Sequence, residues 1–132
     1  MKYFITLVFL LISTSVVAQN YVTEKEFDIV ISGANAFGEN HRIVVIEVWA
    51  EFNQANAFKD WKNLKGAKYH RLDLSKAPNI KKRFRIRMVP TILVFLDGSK
   101  ELEYKAGLDL ICPVTLQELN KDIEELDTAS QY

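Results

Sequence analysis

Two side chains in this sequence have a chemistry that depends strongly on their surroundings: one thiol and one carboxylate. Cys112 is the only cysteine, so it is either buried or available for a disulfide with another molecule. Glu47 lies within the apolar run Ile43–Trp49, where an unpaired carboxylate is costly to bury. Its head is therefore expected to reach a polar partner or water. His41 and His70 lack the neighbours typical of a metal site, so neither a metal nor another cofactor is predicted.

A basic segment lies in the second half of the chain. Five of the seven residues 81–87 are lysine or arginine. Arg85 and Arg87 alternate with apolar residues, so these cations are expected to share a solvent-facing side. Such a run is usually a solvated face, but it also favours acidic partners and speeds their encounter. Nucleic acid is not predicted as a partner, because Phe84 is the only aromatic residue among the cations.

The apolar pattern predicts four strands. The first is apolar at nearly every position, which is typical of a strand covered on both faces. The last two flank Asp97 and Gly98, a pair typical of a hairpin turn. The strands are predicted at residues 43–49, 68–74, 91–95 and 100–105.

Four helices are predicted around these strands. Thr23 and Glu26 have the spacing of a capping box, which begins the first helix; that helix ends by Gly38. Ser75 is a candidate cap for the third helix, with Pro78 in its first turn. The order of elements predicts a mixed sheet with helices on both faces. The later helices are predicted at residues 54–65, 77–83 and 114–126.

Two segments resemble those of the thioredoxin family. Residues 49–56 resemble its Trp-Ala-x-Trp-Cys-Gly-Pro-Cys segment, and residues 88–91, Met-Val-Pro-Thr, resemble its Val/Ile-Pro-Thr loop. Asn53 and Asn56 stand where the family has its two cysteines. The chain is thus identified as an α/β thioredoxin-like three-layer sandwich whose Cys-x-x-Cys motif is replaced by Asn-Gln-Ala-Asn.

The replacement removes the dithiol chemistry. Thiol–disulfide exchange needs a thiolate, and an asparagine amide has no ionisable or nucleophilic group. We therefore do not expect a dithiol oxidoreductase. Asn53 and Asn56 are expected to cap the helix that follows, because asparagine is a favoured N-cap residue. Glu47 matches the buried acid that the family places beneath its cysteines.

The resemblance also implies a groove for an extended peptide. It implies a cis peptide bond before Pro90 and a Val89 backbone that pairs with a partner strand, a form of β-augmentation. The alternative is that this proline only shapes its loop. The residues implied for peptide binding are Trp49, Phe52, Asn53, Val89, Pro90, Thr91 and Gly107.

Cys112 ends the loop at residues 107–112, which the family uses as the third wall of this groove. A helix beginning at Val114 would lower the pKa of a nearby thiol and favour mixed disulfides. The apolar neighbours favour a buried, inert thiol instead. We expect the buried form, and the reactive form stays open as the alternative.

The first 18 residues are typical of a signal peptide. Lys2 precedes an apolar run at residues 4–12, and small residues up to Ala18 offer a cleavage site. The run is shorter than the roughly 20 residues that span a bilayer. We therefore expect cleavage after Ala18, no membrane span in the mature chain, and one domain at residues 19–132 in the periplasm or outside the cell.

The sequence thus predicts an exported, redox-inactive thioredoxin-like domain. Lysine plus arginine and aspartate plus glutamate each number 17, so overall charge gives no sign of a nucleic-acid partner. We expect noncovalent binding of a protein or extended peptide, with acidic segments among the candidates. The alternative is a monothiol redox protein acting through Cys112. A third hypothesis is an accessory protein whose useful surface lies elsewhere, such as the basic run.

Overall fold

The central element of the fold is a four-stranded mixed sheet. The computed structural model describes residues 21–33 and 42–132. The strand order is β2-β1-β3-β4; β1 pairs parallel with β2, and the β1–β3 and β3–β4 pairs are antiparallel. Each strand lies within one residue of its predicted bounds. The strands are β1 Ile43–Trp49, β2 Lys68–Asp73, β3 Thr91–Leu96 and β4 Ser99–Lys105.

Helices cover both faces of this sheet, so the predicted three-layer α/β architecture is confirmed. Helices α1, Phe27–Ile31, and α2, Pro78–Arg83, pack on one face. Helix α3, Leu116–Ala129, packs on the other. Successive β1 residues alternate between the two cores, which explains why the strand is apolar throughout. In the described part of the chain, no helix has the length and apolar character needed to cross a membrane.

The helix termini differ in detail from the predictions. Thr23 accepts a hydrogen bond from the Glu26 amide (3.3 Å), but α1 begins only at Phe27; its predicted end near Gly38 lies outside the described residues. Ser75 does not cap α2. Glu24, which is distant in sequence, caps this helix instead. Its carboxylate accepts hydrogen bonds from the amides of Asn79 (2.5 Å) and Ile80 (3.0 Å). Helix α3 begins at Leu116, two residues later than predicted.

The prediction of a helix at residues 54–65 is wrong. The chain instead forms two short 3₁₀ helices, Glu51–Asn56 and Trp61–Asn63, and Ala57 between them is extended (φ −61°, ψ 151°). The amide of Phe58 donates to the Glu47 carboxylate (2.8 Å) rather than to a carbonyl one turn earlier. This long-range hydrogen bond breaks the helix. The apolar spacing that suggested a helix instead reflects burial of Phe58 and partial burial of Trp61 in one core.

Arg85 adopts a left-handed conformation (φ 53°) just after α2. Its amide donates to the Lys82 carbonyl (3.3 Å), and the Ile86 amide donates to the Lys81 carbonyl (2.9 Å). These are the two hydrogen bonds of a Schellman motif, in which glycine is usual because a Cβ is strained at that position.

We expect Arg85→Gly to raise the free energy of unfolding by about 0.5–1 kcal/mol, because relief of this strain outweighs the extra entropy of glycine in the unfolded chain. Urea denaturation measures the change. Arg87→Gly is the matched control: Arg87 is exposed and lacks the positive φ, so that variant should gain nothing. Equal or lower stability of Arg85→Gly would contradict the strain argument.

Candidate binding site around Asn53

Asn53 lies at the centre of the candidate site, and its side chain is buried, with 8% exposed. Its Nδ2 donates to the Val89 carbonyl (2.9 Å) and to the Leu110 carbonyl (2.8 Å). Its Oδ1 accepts from Nδ2 of Asn56 (2.8 Å). The prediction that the two asparagines cap a helix is therefore wrong, since the N-cap residue is Ala50 and no side chain caps it. One amide instead joins three segments, and we call this the Asn53 junction.

The loop before β3 is packed against this junction. The Val89–Pro90 peptide bond is cis, and Val89, Pro90 and Thr91 are all buried. The Thr91 hydroxyl donates to the Met88 carbonyl (2.6 Å). The Val89 carbonyl already accepts from Asn53, so a partner strand would have to use the second lone pair of this oxygen.

Three large apolar side chains are exposed on either side of the junction. Phe52 precedes Asn53 and is 77% exposed; Leu108 and Ile111 flank Leu110 and are 90% and 56% exposed. We call these three residues the apolar rim. Sequence reasoning named Phe52 and the loop at residues 107–112 as parts of the groove, but it did not single out Leu108 or Ile111 within that loop. Gly107, which was predicted, is exposed next to Leu108.

Trp49 differs from the rim residues because it is only partly exposed. Its ring meets the edge of Tyr21, with centroids 6.0 Å apart, and the Arg71 guanidinium lies 5.7 Å from its centroid. These contacts hold Trp49 against the end of the sheet. It therefore offers less open surface than Phe52.

Glu47 lies fully buried beneath the site in a network of hydrogen bonds. Its carboxylate accepts from Arg71 Nε (3.0 Å) and Nη2 (2.9 Å), from the Tyr69 hydroxyl, and from the Phe58 amide (2.8 Å). Arg71 also donates to the Phe58 carbonyl at 3.3 Å. Glu47 and Arg71 face each other across β1 and β2 and are 0% and 2% exposed. The prediction that Glu47 reaches a polar partner is confirmed. The sequence alone did not identify Arg71 as that partner.

The protonation states of the network follow from burial and charge. Burial, reinforced by the Glu47 charge, raises the pKa of Tyr69, so its hydroxyl stays protonated. Burial alone would lower the pKa of Arg71, but Glu47 and Tyr69 outweigh it and the pKa is raised. The guanidinium therefore stays charged beside Glu47. In residues 21–33 and 42–132, no group of three or more potential ligands among histidine, cysteine, aspartate and glutamate is placed to hold a metal ion.

Cys112 is half-buried and packs against the core beneath α3. Its thiol donates to the Val114 carbonyl (3.5 Å). Burial raises the pKa of Cys112; the Val114 hydrogen bond opposes this effect and the Glu47 charge adds to it. The lowered pKa that a helix beginning at Val114 would give is not found, since α3 begins at Leu116.

We expect Cys112 to be alkylated by iodoacetamide several-fold more slowly in the folded protein than in urea at neutral pH, because burial raises the pKa of the thiol and also limits access of the reagent. Intact-mass measurements over a pH series give both rates. The midpoint of the folded profile should lie at higher pH than that of the unfolded chain. Equal rates at neutral pH would show an exposed, reactive thiol.

Comparison with known proteins identifies the fold of this chain. No protein-family model and no curated protein matches the sequence. Solved thioredoxins match the structure. A thioredoxin variant from Halobacterium salinarum is 19% identical with a TM-score of 0.59, over 80% of this chain and 87% of that chain. The Malassezia sympodialis thioredoxin is 18% identical with a TM-score of 0.54, over 78% and 87% respectively.

A third comparison agrees with these two. The Plasmodium falciparum thioredoxin is 17% identical with a TM-score of 0.53, over 81% of this chain and 97% of that chain. The chain therefore has the thioredoxin-like fold, with a single cysteine. A fold of this kind does not by itself assign an activity.

Proposed function

We propose that this chain, whose thioredoxin-like fold carries a single cysteine, is a noncovalent protein-binding module that contacts its partner through the apolar rim. The observation that carries this proposal is the exposure of Phe52, Leu108 and Ile111 around one junction. Exposed apolar side chains that cluster, rather than lie scattered, mark interaction sites. A few side chains usually supply most of the binding energy of a protein interface.

The Asn53 junction supports binding through side chains rather than through a paired strand. The Val89 carbonyl already has one donor in Asn53, so a paired strand gains less there than at a carbonyl without a donor. The same amide holds the Leu110 loop. A surface that is already ordered loses less entropy on binding.

The proposed function involves no redox chemistry, for two reasons. Asparagine stands at both positions that resemble the family cysteines. Cys112, the remaining thiol, is half-buried with a raised pKa, which slows attack on a disulfide. Its exposed neighbour Ile111 contacts a partner in our proposal, whereas the thiol does not.

The proposal places this module outside the cytoplasm. Its support is the N-terminal sequence: Lys2, the apolar run at residues 4–12 and the small residues before Gln19. These residues lie outside the described part of the chain. We propose that the mature domain begins at Gln19 and acts in the periplasm or beyond it.

Loss of binding on removal of the rim tests the proposal. The probe is a fluorescein-labelled neutral peptide of about ten residues, with leucine and phenylalanine spaced by serine and glutamine. We expect Phe52→Ser/Leu108→Ser to weaken binding at least about tenfold in fluorescence anisotropy, as two interface anchors are removed.

Ile29→Ser is the matched control, because Ile29 is 66% exposed on α1, away from the rim. It should bind like the wild type, and so should Cys112→Ala with or without reductant. Unchanged binding by the double rim variant, or no binding by the wild type, would contradict the proposed function. Binding that requires Cys112 and disappears with reductant would favour the monothiol alternative.

A further inference from the structure

The exposed cations are unevenly distributed along the chain, although the chain as a whole is neutral. The face of the sheet that holds α1 and α2 carries a group of exposed cations, which we call the basic face. The opposite face holds α3, whose exposed charges are mainly carboxylates. The basic face consists of Lys81, Lys82, Arg83, Arg85 and Arg87, and the α3 carboxylates are Glu118, Glu124, Glu125 and Asp127.

Most of the basic face is not neutralised by the protein itself. Arg83 pairs with Asp28 at 2.7 Å. Within the described ranges, no carboxylate forms an ion pair with any of the other four cations. Their field therefore extends into solvent, where it attracts anionic groups and orients an approaching partner.

The basic face continues directly into the candidate binding site. Arg87 lies two residues before Val89, whose carbonyl is held by Asn53. Arg85 keeps a large cation where glycine would be less strained. Strained backbone of this kind persists most often at functional sites. A partner segment that extends from the apolar rim along this loop would reach Arg87 first and the α2 lysines beyond it.

We propose, on the basis of the proposed function, that the partner of this site is an acidic protein segment. Its apolar residues contact the rim, and its carboxylates contact Lys81, Lys82 and Arg87. The exposed carboxylates of α3 repel such a segment from their own surface. The charge distribution therefore selects both the partner and the face that it approaches.

A protein segment fits this surface better than a nucleic acid or an anionic membrane does. Glu51 and Asp109 are exposed next to the rim, and they would repel a uniformly anionic strand or bilayer. Phe84 offers no open face for base stacking, because it is partly buried and Arg83 and Lys100 lie 5.0 and 5.8 Å from its centroid. A peptide is able to place its carboxylates on one side of the rim only.

Three peptides of one length test the assignment by fluorescence anisotropy. The neutral peptide described above is compared with versions in which its glutamines are replaced by glutamate or by lysine. We expect the glutamate peptide to bind about fivefold to tenfold more tightly than the neutral one at low salt, an advantage that added salt reduces. The lysine peptide should bind most weakly.

Two triple variants, each of which removes three positive charges, test which cations cause the preference for glutamate. Lys81→Gln/Lys82→Gln/Arg87→Gln should remove the preference for glutamate; Arg85 is left in place because its backbone conformation would complicate the result. The control, Lys59→Gln/Lys62→Gln/Lys121→Gln, neutralises three cations outside the basic face and should keep the preference. Loss of the preference in the control as well would show an effect of net charge alone and overturn the inference.

The remaining outcomes separate the inference from the proposed function. If the neutral and glutamate peptides bind with equal affinity, and neither binds the rim variant, the inference of an acidic partner is overturned but the proposed binding module stands. No binding of any peptide would overturn both. Binding of a single-stranded oligonucleotide or of phosphatidylglycerol vesicles that is tighter than binding of the glutamate peptide would overturn the peptide assignment. Self-association of the protein that is abolished by Glu124→Gln/Glu125→Gln would overturn it as well.

Discussion

Arg71→Met is expected to lower the free energy of unfolding by about 3–5 kcal/mol, a large part of the stability of a domain of this size. The substitution leaves Glu47 fully buried without its two hydrogen bonds from the guanidinium. An uncompensated charge in the core costs far more than the pair contributes. The Phe58 carbonyl also loses its Arg71 donor.

Urea denaturation of three variants separates these contributions. Glu47→Leu/Arg71→Met removes both charges and should recover part of the loss, because apolar replacement of a buried pair is often nearly neutral. Recovery should stay incomplete, since the Phe58 amide and carbonyl then have no side-chain partner. Glu47→Gln retains an acceptor for the Phe58 amide but leaves the Arg71 guanidinium buried without its carboxylate, so it should be destabilised about as much as Arg71→Met. A loss below about 1 kcal/mol in Arg71→Met would show that water solvates Glu47.

The sheet was predictable because its pattern is local. A strand buried on both faces is apolar at every position, and Asp97-Gly98 adopts positive φ at both residues, as a tight hairpin requires. Both features are visible within a few residues of sequence. The strand bounds therefore needed no knowledge of the rest of the molecule.

The candidate site was less predictable because its contacts are distant in sequence. The helix expected at residues 54–65 is broken by a hydrogen bond from Phe58 to Glu47, 11 residues earlier. Asn53 has the local propensity of a cap, but it bonds residues 36 and 57 positions away. Competition between local propensity and a buried tertiary partner is decided by the fold, and propensity is the weaker effect.

The rim shows a different limit of sequence reasoning. Leu108 and Ile111 are apolar in a loop, a pattern equally compatible with burial and with exposure. The resemblance to thioredoxins implied that their loop lines the groove, but it singled out Phe52, Val89 and Gly107 as contact residues. In the structure Val89 is buried and Cys112 is half-buried, whereas Leu108 and Ile111, which were not singled out, are exposed.

Asn53→Leu is expected to lower the free energy of unfolding by about 2–4 kcal/mol, because two carbonyls lose the side-chain donor that Asn53 provides. Those carbonyls belong to Val89 and Leu110. The variant keeps all three rim residues, yet peptide binding should weaken because the loops that position them are no longer joined. Urea denaturation gives the first effect and fluorescence anisotropy the second. Retention of both stability and binding would show that the junction contributes little.

Asn53→Asp is the matched control, since it has nearly the same size and retains the oxygen that accepts from Asn56. It replaces the amide donor with an oxygen that faces two carbonyl oxygens. At neutral pH its loss of stability should exceed that of Asn53→Leu, because a buried carboxylate without a donor is costlier than an apolar side chain. In acid the protonated carboxyl donates one hydrogen bond, so the difference between the two variants should shrink. A difference that is independent of pH would mean that the carboxylate turns out to solvent, and the Asn53 junction would then not be the constraint that orders the rim.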